Sequence, residues 1–226
     1  MKREWSQSPP MTYLDMGHGG VETLKKGETM PLPDPLPFDQ GQRLDLKNHP
    51  ESQGICSAIC SHFVAWSYQG RAVVTAYERI CDPKQFMDMY RLQQKTGGDV
   101  FQILLGNRKN YISKLYTGSI ANLYTALSSA GGPLTCGTVM IVDPINGYGH
   151  MLAACRDATY DYLFDPNYGL YFVPRGTADL VGMLLAALYP GWVYNSMIIM
   201  LPNKPATNQA ARQAAFSILP GFRPRR

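Results

Sequence analysis

Apolar residues change their spacing along this chain. Through about Pro50 they follow neither the helical period nor the strand period, and the segment Pro31-Leu32-Pro33-Asp34-Pro35-Leu36-Pro37 is dominated by proline. This predicts an extended or disordered leader over residues 1–50. From Cys56 to Tyr68 the residues Ile59, Phe63 and Trp66 recur at helical spacing behind Gly54, which predicts a buried helix. Asp82-Pro83 opens a second helical segment to about Gln94, and further helices are expected near 99–106 and over Ser119–Ser129, the last closed by Gly131-Gly132-Pro133. The period then changes. Leu134–Val142, Gly149–Arg156, Tyr160–Phe164, Leu170–Val173 and Val193–Leu201 read as strands, with a helix over Thr177–Leu188 before the last.

The pattern predicts an α+β protein, a helical subdomain followed by a mostly antiparallel β-sheet subdomain. A main folded domain over residues 51–202 would lie between the leader and a C-terminal tail over 203–226. The length of 226 residues suits one domain with a substantial core, and 21 glycines with 17 prolines fit a loop-rich fold rather than long helices. The formal charge of +4 is local. Lys204, Arg212, Arg223, Arg225 and Arg226 stand in the tail with no acid among them, so the rest is close to neutral. Aromatic residues fall in expected core elements and are not interleaved with basic ones, which argues against nucleic acid. The first thirty residues lack an apolar signal core, and no apolar run is long enough to span a bilayer, so no transmembrane segment is expected.

Five cysteines, at 56, 60, 81, 136 and 155, form neither a CxxC pair nor an even set, which favours free thiols. Cys56 stands at an expected helix N-terminus, where unpaired N–H groups and the helix dipole favour thiolate, the nucleophilic form. Cys60, one turn on, is expected in the core; Cys81, Cys136 and Cys155 are read as structural. Of four histidines, His18 and His49 fall in the leader and His62 rides on the helix of Cys56 itself. His150 remains, delivered by Asn146-Gly147-Tyr148-Gly149 to the start of an apolar strand. Fifteen residues later, Asp165 begins the turn Asp165-Pro166-Asn167-Tyr168-Gly169, which returns the chain beside that strand. Each residue also has an inert reading: a packed thiol, a satisfied core histidine, a turn aspartate. Together they form the order Cys, His, Asp, with nucleophile on a helix and base and orienting carboxylate on adjacent strands.

Three segments carry a resemblance: Gly54-Ile55-Cys56-Ser57-Ala58 followed by Trp66, then Gly149-His150, then Phe164-Asp165-Pro166-Asn167-Tyr168-Gly169. They resemble the YopT-type family of bacterial effector cysteine proteases, over roughly residues 50–201. The resemblance implies a papain-like fold, Cys56 as nucleophile, His150 as general base and Asp165 as its orienting residue. It also implies a side-chain amide in the oxyanion hole, with Gln53 the nearest and Asn48 the other option, beside the N–H of Cys56. No cofactor or metal is implied. The expected partner is a protein substrate inside a target cell, reached through a specialised bacterial secretion system, with a cognate immunity protein or chaperone for a toxin. Self-cleavage in the leader is a further expectation. The same residues would serve an acyltransferase, transglutaminase or deamidase, and a binding module that has lost catalysis is the reading from another class. Specificity is expected in loops at residues 95–118 and 143–149.

Overall fold

A computed structural model describes residues 31–43, 55–96, 111–117, 126–127, 132–177 and 179–202. Among them seven strands form one antiparallel sheet in the order β1-β6-β5-β4-β3-β7-β2. In chain order the elements are β1 (Leu36–Pro37), α1 (Gln40–Arg43), α2 (Cys56–Gly70), α3 (Val73–Cys81), α4 (Pro83–Thr96), β2 (Tyr111–Thr117), β3 (Thr135–Val142), β4 (Gly149–Arg156), β5 (Tyr160–Asp165), β6 (Gly169–Pro174), α5 (Leu180–Leu188) and β7 (Val193–Pro202). The α+β expectation of helices followed by an antiparallel sheet holds.

The central strands β3, β4 and β5 are buried on both faces, which is why they read as nearly continuous apolar runs. Side-chain alternation sends Ala153, Cys155, Tyr162 and Phe164 to one face, where they pack with Ile59, Phe63, Val73, Ile80 and Met89 of α2, α3 and α4. It sends Leu152, Ala154 and Leu163 to the other, against Leu180, Val181 and Leu184 of α5. The Phe63 and Phe164 rings stack with centroids 4.7 Å apart and fasten α2 across β5. Truncating either to alanine would cost about 3–5 kcal/mol.

Three regions depart from the sequence expectation. Residues 31–43, assigned by composition to the leader, belong to the folded body. β1 pairs with the edge of β6, Leu36 opposite Leu170, and Phe38 is 3% exposed against Phe86 and Phe164. Two apolar anchors in a proline-rich segment carry no period, so their burial was invisible in the pattern. The approach of β1 requires Gly169: its φ is +131°, and a Cβ there would lie 1.9 Å from the Leu36 carbonyl oxygen. α3, with Val73, Ala76 and Ile80 buried, was not expected as a separate helix. β2 pairs along its whole length with β7, so residues 111–117 are strand where a loop was expected. Its Tyr, Ile and Thr residues have strand propensity. Ala126 and Leu127 are helical, as expected, while the rest of that segment, the helix expected near 99–106 and the tail lie outside the described residues.

Candidate active site

α2 begins at Cys56 with Ile55, fully buried, as its N-cap residue, and Ile55 supplies no side-chain cap. The cap comes from α4: Gln93 Oε1 accepts from the Ala58 N–H at 2.9 Å and from the Ser57 hydroxyl at 2.9 Å. The N–H groups of Cys56 and Ser57, the first of the helix, have no intrahelical carbonyl to bond. The backbone amides of Ser57 and Met151 and the side chain of His150 lie close enough to the Cys56 sulfur to stabilise its thiolate. Burial alone would raise the Cys56 thiol, but the imidazole bond and charge, with the two N–H donors, outweigh it and hold the thiol below its ordinary value of 9.0.

His150 is the second residue of β4, opposite Ile141 of β3, and 6% exposed. Its Nε2 donates to Asp165 Oδ1 at 2.8 Å. Nδ1 is therefore the nitrogen left to meet Cys56. Burial opposes charge on this imidazole; the Asp165 bond and the Cys56 sulfur overcome that and raise its pKa from 6.5 to about 9. A depressed thiol and a raised imidazole together favour a thiolate–imidazolium pair near neutral pH.

Asp165 ends β5, is fully buried and accepts on both oxygens. Oδ1 also takes the Asn167 N–H at 2.8 Å, which closes an Asx turn, and Oδ2 takes the Tyr189 hydroxyl at 2.8 Å. Tyr189 follows α5 and sets its ring against His150, with centroids 5.5 Å apart and planes 30° apart. Burial and the Asp165 charge hold its phenol protonated, so it donates.

The structure thus brings Cys56, His150 and Asp165 to one point. Gln53 and Asn48 lie outside the described residues. Cys60 is in the core: its thiol donates to the Met151 carbonyl at 3.1 Å, and burial pushes its pKa well up. Cys136 and Cys155 face each other, buried and free, on β3 and β4, and Cys81 is free and half-buried. His62 is fixed by a 2.8 Å bond from Nδ1 to the Ala58 carbonyl, and burial drops its pKa to about 4. The sequence reading missed Gln40, Gln93 and Tyr189, which reach the site from distant elements. Asn167 stood within a quoted motif but carried no assigned role. No group of residues suited to hold a metal ion occurs among the described residues, and no helix there is long and apolar enough to cross a membrane.

No family model matches the chain, and neither does any curated protein. Among solved structures it is similar to the Pseudomonas avirulence protein AvrPphB, at 16% identity over 69% of this chain and 92% of that one, with a TM-score of 0.34. It is also similar to PatoxP, a cysteine protease-like domain of the Photorhabdus asymbiotica toxin PaTox, at 15% identity and a TM-score of 0.39. That second match covers 74% of this chain and 54% of the PatoxP chain.

Proposed function

We propose that this chain is a cysteine endopeptidase of papain-like architecture. The observation that carries the reading is the connected set from a helix-terminal thiol through His150 to a buried carboxylate, with the thiol lowered and the imidazole raised. A packed cysteine and a satisfied core histidine would leave each other in their ordinary states.

In the proposed reaction the Cys56 thiolate attacks a peptide carbonyl carbon, and the carbonyl π pair moves onto oxygen. The Cys56 N–H at the start of α2 faces that oxyanion, with Gln53 as the proposed second donor. Collapse expels the amine, which takes the proton from His150 Nδ1 and leaves a thioester. Neutral His150 then removes a proton from water as water attacks the thioester; collapse of this second tetrahedral intermediate breaks the C–S bond, releases the acid product and leaves the Cys56 thiolate beside the imidazolium, which restores the ion pair. Asp165 keeps Nε2–H directed away from the sulfur throughout, so Nδ1 alone exchanges protons with the reactants.

The hairpin tip before His150 is a candidate wall for substrate. Asp143 Oδ1 accepts from the Ile145 N–H at 2.8 Å, and the Gly147 N–H bonds the Asp143 carbonyl at 2.9 Å. This ordered turn displays Ile145 at 88% and Tyr148 at 68% exposure. The motif resemblance extends the proposal to a secreted bacterial effector or toxin that cleaves a specific protein inside a target cell.

The test is mass spectrometry after treatment with an epoxysuccinate inhibitor, on wild type, Cys56→Ala, Cys60→Ala and His150→Ala. We expect a single adduct on Cys56, absent in Cys56→Ala and at least about tenfold slower in His150→Ala, the size of one unit of lost thiol activation. Labelling that follows Cys60, or a folded wild type that reacts no faster than an ordinary thiol, overturns the reading.

A further inference from the structure

A single polar chain links the peptide before the nucleophile to the base, and its first side chain is Gln40. Gln40 lies in α1, is 3% exposed, and its backbone N–H donates to the Pro166 carbonyl at 2.8 Å. Its side-chain oxygen accepts the Ile55 N–H at 2.9 Å. A peptide N–H can only donate, so this contact fixes which end of the Gln40 amide is oxygen. Nε2 must then face the other way, and it donates to Asn167 Oδ1 at 2.8 Å. The Asn167 amide is oriented in turn: Nδ2 donates to the Tyr189 oxygen at 3.0 Å and lies 3.4 Å from His150 Nε2. With its oxygen accepting from Asn167, the Tyr189 hydroxyl sends its hydrogen to Asp165 Oδ2. Asp165 Oδ1 receives Nε2–H of His150.

We propose that Gln40 is a positioning residue for the site: its amide sets the donor–acceptor direction of this chain and ties the helix of Cys56 to the turn that holds His150. This rests on the peptidase reading above. Gln40 touches neither the sulfur nor the imidazole. It acts through polarity, because reversing any link presents two acceptors or two donors to each other in a buried place. It also acts through span, since one side chain bonds Ile55 on the helical side and Asn167 on the sheet side. Ile55 immediately precedes Cys56 and Asn167 stands two residues beyond the Asp165 that holds His150, so a fixed distance between Ile55 and Asn167 constrains the distance between Cys56 and His150.

Two substitutions of nearly equal volume separate polarity from packing. Gln40→Glu offers no donor to Asn167 once ionised, and Gln40→Leu offers neither group. The readout is the pH dependence of Cys56 alkylation by iodoacetamide, followed by mass spectrometry, on protein shown folded by circular dichroism. Near pH 6.5 we expect both variants to react about tenfold or more slowly than wild type, with the half-maximal pH raised by about one unit. At pH 10, where hydroxide makes thiolate unaided, their rates should return to within a few-fold of wild type. Folded variants that keep the wild-type profile overturn the proposal. A wild type with the profile of an ordinary thiol overturns the peptidase reading instead, so the two failures are distinguishable. Should the Gln40 variants not fold, Tyr189→Phe cuts the same chain two links further on and should raise the half-maximal pH in the same direction; no shift there overturns the proposal. Where Gln40→Leu folds, combining it with Tyr189→Phe should add less than the sum of the two, as links in series require, and full additivity counts against the chain. Tyr77→Phe is the control. It removes the 2.7 Å bond to the Pro37 carbonyl beside the same segment, and the contact of the hydroxyl with Cys81, and should leave the Cys56 profile unchanged.

Discussion

The two ends of the β4–β5 hairpin each hold a buried pair, and the pairs do different things. At one end Arg156 grips Asp161 through Nε and, at 2.7 Å, through Nη2, while the Gly176 N–H adds a 2.8 Å bond to the same carboxylate. At the other, His150 meets Asp165 through one nitrogen only. Both carboxylates are fully buried, and both partners are more than nine-tenths buried. The difference is what the cation has left over. Arginine keeps its charge at every accessible pH and spends its planar fork on the carboxylate, so the pair is a rivet that also pins the turn after β6. The imidazole keeps a second nitrogen and a proton that can leave. A buried charge pair becomes chemistry only where one member can change its charge and still reach a third group.

Replacing each carboxylate tests that distinction, and the largest effect should come from Asp165. Asp165→Asn keeps the shape but lets an amide N–H face His150, which favours the wrong tautomer. Cys56-dependent turnover, read with a substrate once one is identified or as acylation by an activated ester, should fall by on the order of 10³–10⁴. A loss under tenfold would make Asp165 no more than another rivet. Asp161→Ala should do the opposite. Leaving Arg156 buried without its carboxylate should cost about 3–5 kcal/mol in urea unfolding, with Cys56 alkylation per folded molecule unchanged. A stable Asp161→Ala protein with a slow Cys56 would mean that the two ends are coupled.

The smallest effect concerns pH. His150 in the fold has a pKa near 9, above its ordinary 6.5, so alone it stabilises fully below pH 6.5 and loses that contribution as pH rises through 9. Cys56 is shifted the other way: its contribution is present above pH 9 and fades as pH falls through its lowered value. Where the folded thiol has already lost its proton and the imidazole still holds one, folding moves one proton from sulfur to imidazole with no net uptake, and wild-type stability should be level. Cys56→Ser removes the counterweight. Its stability should then fall from pH 6.5 towards 9, by on the order of 1 kcal/mol. A level profile in the variant would mean that Asp165 alone does not hold the imidazolium.

What the sequence made legible follows from range. α2 and strands β3 to β6 could be read because their periods are local and their faces are buried. Cys56, His150 and Asp165 could be found because each sits at a punctuated boundary: a helix start, a glycine turn, an Asp-Pro turn. Gln93 gave no such signal, since it caps α2 from α4 and a cap is usually sought next to its helix. Tyr189 reaches Asp165 across 24 residues and Gln40 reaches Asn167 across 127, and both pairings exist only once the sheet has formed. Residues 31–43 were misjudged for a related reason. Proline-rich composition reports the absence of a regular element, not the absence of burial.

The short pairing of Leu36 and Pro37 on β6 has a consequence for the molecule's behaviour in a crowd. A long bare edge on β6 would present a row of unpaired backbone groups that another chain could extend, the usual seed of fibrils and strand exchange. Here the Gly169–Leu170 end of that edge is covered by two residues, one of them a proline with no N–H to donate, so growth of the sheet from that end is blunted at its first step. At concentrations where a bare edge would recruit a neighbour, a strand adding to β6 meets Gly169 and Leu170 already paired.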